Sequence, residues 1–76
     1  MSEGEAARLQ AAVRDARRTA HELNNQLTVV IGYGELLEDM VEGEAAELVR
    51  LLLRGGRHGL ETLRTLQRQL HDATNS

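Results

Sequence analysis

The apolar residues of this 76-residue chain follow one rhythm almost from end to end. Leu9, Val13, Ala16, Ala20, Leu23, Leu27, Val30, Gly34, Leu37 and Val41 succeed one another in alternating steps of four and three. A stripe sustained over more than four heptads belongs to a long helix that packs against other helices. Pro, the strongest helix breaker, is absent, and the good helix formers Ala, Leu, Glu, Gln and Arg dominate. Ser2 followed by Glu5 has capping-box spacing, so the first helix is expected to run over about 3–41. Glu42-Gly43-Glu44 is the one plausible break, because Gly43 suits the left-handed residue that ends a helix. A second stripe then runs through Ala45, Val49, Leu52, Gly56, Gly59, Leu63, Leu66, Leu70 and Ala73. It predicts a second helix over about 45–72 and a polar tail over 73–76.

The expected fold is therefore all-α: a single domain over 1–76, made of an antiparallel two-helix hairpin. Such a hairpin has no enclosed interior, and chains below about 70–80 residues rarely draw more than about 3–5 kcal/mol from one core. Tyr33 is the only aromatic residue, and there is no Cys to form a disulfide, a thiolate metal site or a nucleophile. Oligomerisation remains as the source of stability, and two hairpins side by side make a four-helix bundle. A homodimer is expected on this ground alone.

Charge narrows the function classes. Twelve acids against nine basic residues, all of them Arg, give a net charge of −3. A net acidic domain is a poor match to nucleic acid. The longest apolar runs are too short to span a bilayer and no basic-then-apolar leader opens the chain, so no membrane contact is expected. The absence of Cys is compatible with a cytoplasmic setting.

With Ala20 at an a-type position of the heptad, His21 falls at b and faces solvent. Arg14, Thr28 and Glu35 share its column, Asn25 stands one turn further on, and Glu22 borders the same face. An imidazole near pH 7 can act as nucleophile, base or ligand. No second His lies four residues away, so a helical His-pair metal site is not expected.

The block from Ala20 to Leu37 resembles the phosphoacceptor helix of bacterial sensor histidine kinases, in the HisKA-type dimerisation and histidine phosphotransfer domain. His21, Glu22 and Asn25 match the H-[ED]-x-x-N core of that family, and Leu27 to Leu37 echo its L-x-x-I-x-G-Y-x-E-L-L stretch. The segment from Gly56 to Leu66 is more weakly similar to the second helix, so the likeness covers about residues 13–70. The resemblance implies that His21 accepts a phosphoryl group and that Glu22 orients and activates it. Asn25 would contact the phosphoryl group or a water. It also implies a receiver-domain partner docked near Thr28, Ile31, Gly32 and Glu35. An ATP-binding kinase domain, in cis or in trans, would phosphorylate His21 and carry the ATP and Mg itself. No cofactor is expected on this chain, and no autonomous kinase activity, because the sequence offers no Gly-rich nucleotide lid. The alternative is a non-catalytic dimerisation or scaffold module that keeps the helical hairpin for packing.

One departure from the family pattern and one charged stripe remain. Arg17, Arg18 and Thr19 stand where the family often has small or apolar residues, either to draw phosphate towards His21 or as a solvated basic patch. Arg50, Arg54, Arg57, Glu61, Arg64 and Arg68 form an outward stripe on the second helix. It is open to two readings: a solvated face with Glu47–Arg50 and Glu61–Arg64 pairs, or a dock for an acidic partner. His58 and His71 are expected to be ordinary surface residues. Gly55, Gly56 and Gly59 suggest a soft spot or kink, or else a close helix approach, level with Val30 and Leu27.

Overall fold

The computed structural model describes residues 2–75, with side chains over 2–73. Two helices, α1 (Glu3–Glu38) and α2 (Gly43–Asn75), form an antiparallel hairpin with no strand among the described residues. Ser2 caps α1: its hydroxyl accepts from the Glu5 N–H at 3.1 Å, and its carbonyl accepts from the Ala6 N–H at 2.9 Å. The reciprocal half of the capping box, from the Glu5 carboxylate, is not formed.

Helix α1 ends three residues earlier than the stripe predicts. The Met40 N–H closes a tight turn onto the Leu37 carbonyl at 2.9 Å. Val41 leaves the helix and packs beside the core made by Ile31, Val49 and Leu53. Gly43 has a left-handed φ of 65°, but it opens α2 rather than closing α1. The expected polar tail instead continues α2 as far as Asn75; Ser76 lies outside the described residues. Of the readings left open for Gly55, Gly56 and Gly59, close helix approach holds at Gly56, and α2 passes through this stretch without a break in its helix.

Two glycines with opposite demands make a paired test. Gly43→Ala is expected to destabilise by about 1–2 kcal/mol, the cost of a Cβ in the left-handed region. Gly32→Ala, mid-helix with nothing within 4 Å of the added Cβ, is expected to stabilise by about 1 kcal/mol. Urea unfolding of both variants checks the two signs.

The contact between the helices corrects the expected seam. Buried and half-buried positions on α1 include Ala20, Asn24, Leu27, Ile31, Gly34 and Glu38, which are a and e positions of the heptad. On α2 they include Ala46, Val49, Leu53, Gly56, Leu60 and Leu63, again a and e. The d column predicted to share the seam stays largely wet: Val30 is 49% exposed and Leu52 is 52% exposed. A helix apolar at a, d and e has a stripe wider than one neighbour can cover, and the hairpin covers the a/e side.

Close approach is achieved at two levels. Leu53, 1% exposed, seats on Gly34, where a Cβ would stand 2.6 Å from its Cδ2. One turn away, Ile31 seats on Gly56, with its Cγ1 3.2 Å from the position a Cβ would take. Gly55, Gly59 and Gly32 have open space around them, so only Gly34 and Gly56 are required by packing. Further from the turn, the Asn24 side-chain amide donates to the Gln67 Oε1 at 3.4 Å, a polar rung across the seam.

The result is a rod of 60 × 15 × 15 Å with a radius of gyration of 17.5 Å, against about 11 Å for a compact chain of this length. Its accessible surface is 6009 Å², against about 4,600 Å² for a folded monomer of 8.4 kDa. Leu23, Val30, Leu37 and Tyr33 on α1, Met40 in the turn, and Leu48, Leu52 and Leu66 on α2 are exposed. They occupy d and g columns, which the hairpin geometry puts on one flank of the rod; Val29, Leu36 and Leu51, also exposed, lie in the c columns. No helix among the described residues is long and apolar enough to cross a membrane.

Candidate functional site: the basic groove at the open end

In two antiparallel helices joined through their a and e columns, the b columns of both lie on one flank and the d columns on the other. Ion pairs mark the b flank. Arg57 Nη2 lies 3.7 Å from Glu35 Oε1, and Arg50 Nε lies 3.7 Å from Glu38 Oε2, both bridging α1 and α2. These pairs are solvent-exposed and contribute at most about 1 kcal/mol each, but they fix which side of α2 the arginine stripe occupies. It faces the inter-helix groove rather than pointing straight out. The expected Glu47–Arg50 pair forms at 2.6 Å; the expected Glu61–Arg64 pair does not form among the described residues.

His21 lies on this same flank, away from the apolar one. It is exposed, as are Glu22 and Asn25. Among the described residues, none of the three side chains makes a hydrogen bond or ion pair. Asn25 is one helical turn beyond His21 on the same side. Glu22, the next residue, is displaced about 100° around the helix.

The four residues expected to meet a partner differ in what they can offer. Thr28 is exposed and its hydroxyl donates to the Asn24 carbonyl at 2.8 Å. Gly32 is exposed, and Glu35 is exposed while paired to Arg57. Ile31 is a correction: it is buried against Gly56 and can be touched only if the hairpin opens. It sits at an e position, which the hairpin uses for its own seam.

A groove of about 550 Å³ holds His21 together with Arg14, Arg17, Arg18, Gln67 and His71. It continues along α2 past Arg64, Arg68 and Asp72. Arg14, Arg17, Arg18 and His21 are spaced i, i+3, i+4, i+7, which puts them on one helix face. Arg18 also lies 3.7 Å from Asp15. His71 was expected to be an ordinary surface residue, but the hairpin brings it level with His21. The signal for it was present: Arg64-x-x-Gln67-Arg68-x-x-His71 repeats the spacing of Arg14-x-x-Arg17-Arg18-x-x-His21. Because the helices are antiparallel, the two octets meet at their histidines and their arginines extend in opposite directions.

Chemically, the groove is a line of guanidinium groups around a solvated imidazole. It suits a small anion with several acceptor oxygens. No group of three or more side chains able to hold a metal ion occurs among the described residues. No family model matches the chain, and no curated protein or solved structure shows significant similarity to it.

Proposed function

We propose that this chain is a dimeric phosphoacceptor module of two-component signalling. His21 takes a phosphoryl group from an ATP-binding kinase domain, in cis or in trans, and passes it to a receiver-domain aspartate, in a cytoplasmic setting. The observation that carries this reading is the exposure of His21 on the flank opposite the d columns of a two-helix rod, with Glu22 and Asn25 also in solvent. Pairing two rods through their apolar flanks leaves the imidazole accessible. Phosphoryl transfer is an in-line displacement governed by positioning and charge stabilisation, and both carboxylate and amide stand beside the nucleophile. Glu22 would favour the reactive tautomer and the developing imidazolium, as a carboxylate does for a catalytic His. Asn25 would meet a phosphoryl oxygen or a water.

The exposed apolar side chains support the dimer. Val30 and Leu52 in the d columns, about half exposed, are side chains that a second rod would cover. Folding and association are then linked, so helical content should fall on dilution. Sedimentation equilibrium of Val30→Glu/Leu52→Glu should give a monomer. An undiluted-like, fully helical monomer of the unaltered chain would contradict the dimer. The transfer itself is tested with His21→Ala, taken up in the Discussion.

A further inference from the structure

We infer that the groove at the open end of the hairpin is an anion site for a phosphate dianion, built from both helices, with His71 of α2 as its far wall. The inference deepens the proposed function by giving the phosphoryl group on His21 its charge partners, but free phosphate tests it independently of that role.

Three arginines, Arg14, Arg17 and Arg18, line one wall with His21. Guanidinium forks match the geometry of phosphate oxygens, and charge-assisted bonds of this kind are about twice as strong as neutral ones. The opposite wall offers the Gln67 amide and the His71 imidazole. Gln67 is held in place by Asn24, whose side-chain amide donates to its Oε1 and leaves its own amide hydrogens to donate elsewhere. Asp15 beside Arg18, Glu22 next to His21 and Asp72 along the groove are the countercharges. Those three acids lie outside the lining itself, which carries three guanidinium groups and no carboxylate and so favours a doubly charged ligand over a singly charged one. The other stretch of groove, with Arg50, Arg54 and Arg57, has two carboxylates, Glu38 and Glu61, in its own lining, whereas the lining around His21 and His71 has none. That contrast selects the His21–His71 end.

The three histidines supply the experiment. Inorganic phosphate is titrated into the full chain at constant ionic strength, with chloride as balance, and the imidazole proton resonances are followed by NMR. The expected result is saturable movement of His21 and His71 together, with His58 in the other groove unmoved. Arg14→Gln/Arg18→Gln should weaken binding by about tenfold per guanidinium removed, the effect of one charged hydrogen bond. His71→Ala should weaken it while leaving helicity intact. Linear, unsaturable shifts, equal movement of His58, or unchanged affinity in the arginine variant would overturn the site. Acid-labile label on His21 without saturable phosphate binding would sink this inference and leave the proposed function standing. Saturable binding with no label would do the reverse.

Discussion

Replacing His21 by Ala should abolish uptake of acid-labile phosphate and leave helical content unchanged. Phosphoramidate is a suitable donor. An imidazole ring nitrogen attacks phosphorus, the P–N bond to the amino group breaks, and ammonia leaves with the proton. The product carries phosphorus on the ring. Because His21 is exposed at a b position, its truncation removes nothing from the a/e seam, so loss of label cannot be blamed on unfolding. Circular dichroism of the same sample verifies this. Glu22→Gln keeps the size and removes the charge, and should slow labelling by roughly 10²-fold if the carboxylate acts in the transition state. Label that persists on His21→Ala, at His58 or His71 or elsewhere, would end the phosphoacceptor reading and leave a packing module in its place.

The largest stability effect should come from Leu53. Among the described residues it is the one large side chain that is fully buried, and it contacts Gly34. Leu→Ala at a buried site costs about 2–5 kcal/mol. A core of this size supplies only about 3–5 kcal/mol, so Leu53→Ala should leave the hairpin largely unfolded at room temperature. Gly34 then gives a test with a change of sign. In the unaltered chain, Gly34→Ala drives a Cβ to 2.6 Å from Leu53 Cδ2 and should destabilise by about 1–3 kcal/mol. In the Leu53→Ala background the clash is gone, the added methyl enters the space left, and the helix gains about 1 kcal/mol from replacing Gly. Urea melts of the four proteins close the cycle. If Gly34→Ala destabilises equally in both backgrounds, Leu53 does not seat on Gly34.

Much of the architecture was legible in the residues. The absence of Pro and the four-three rhythm gave two helices, Ser2 and Glu5 marked the first start, and Gly43 marked the turn. The antiparallel register followed from the position of that turn, and Gly56 does lie within a residue of the predicted level, against Ile31 rather than Val30. What the rhythm could not decide was which side of each helix meets its own neighbour. A four-three stripe describes a and d, but Asn24, Ile31 and Glu38 at e are as well placed, and only the pairing of two surfaces chooses between them. The same choice put Ile31 inside the hairpin and removed it from the expected partner surface. Val41 kept the spacing of the stripe yet left the helix, because covering the core end outweighed one more turn of backbone hydrogen bonds. At the site, the outward placement of His21 followed from its neighbour Ala20 alone. His71 is exposed, as expected of a surface residue, and its nearness to His21 comes from the hairpin register across fifty residues of chain.

The apolar cluster of Ile31, Val49 and Leu53 lies near the turn, whereas the seam on either side of His21 has Ala20 and Leu63 buried, Val13, Leu27 and Leu70 only half-buried, and the polar Asn24–Gln67 rung. Hairpin closure therefore behaves like a zip that is secured at one end: contacts near the turn join residues close in sequence, and each further tooth spans a longer loop for less apolar reward. Opening starts at the far end, so the helices around the imidazole can part or twist while the turn stays fastened. A rod of this kind offers adjustability to whatever meets His21 without risking the fold that presents it.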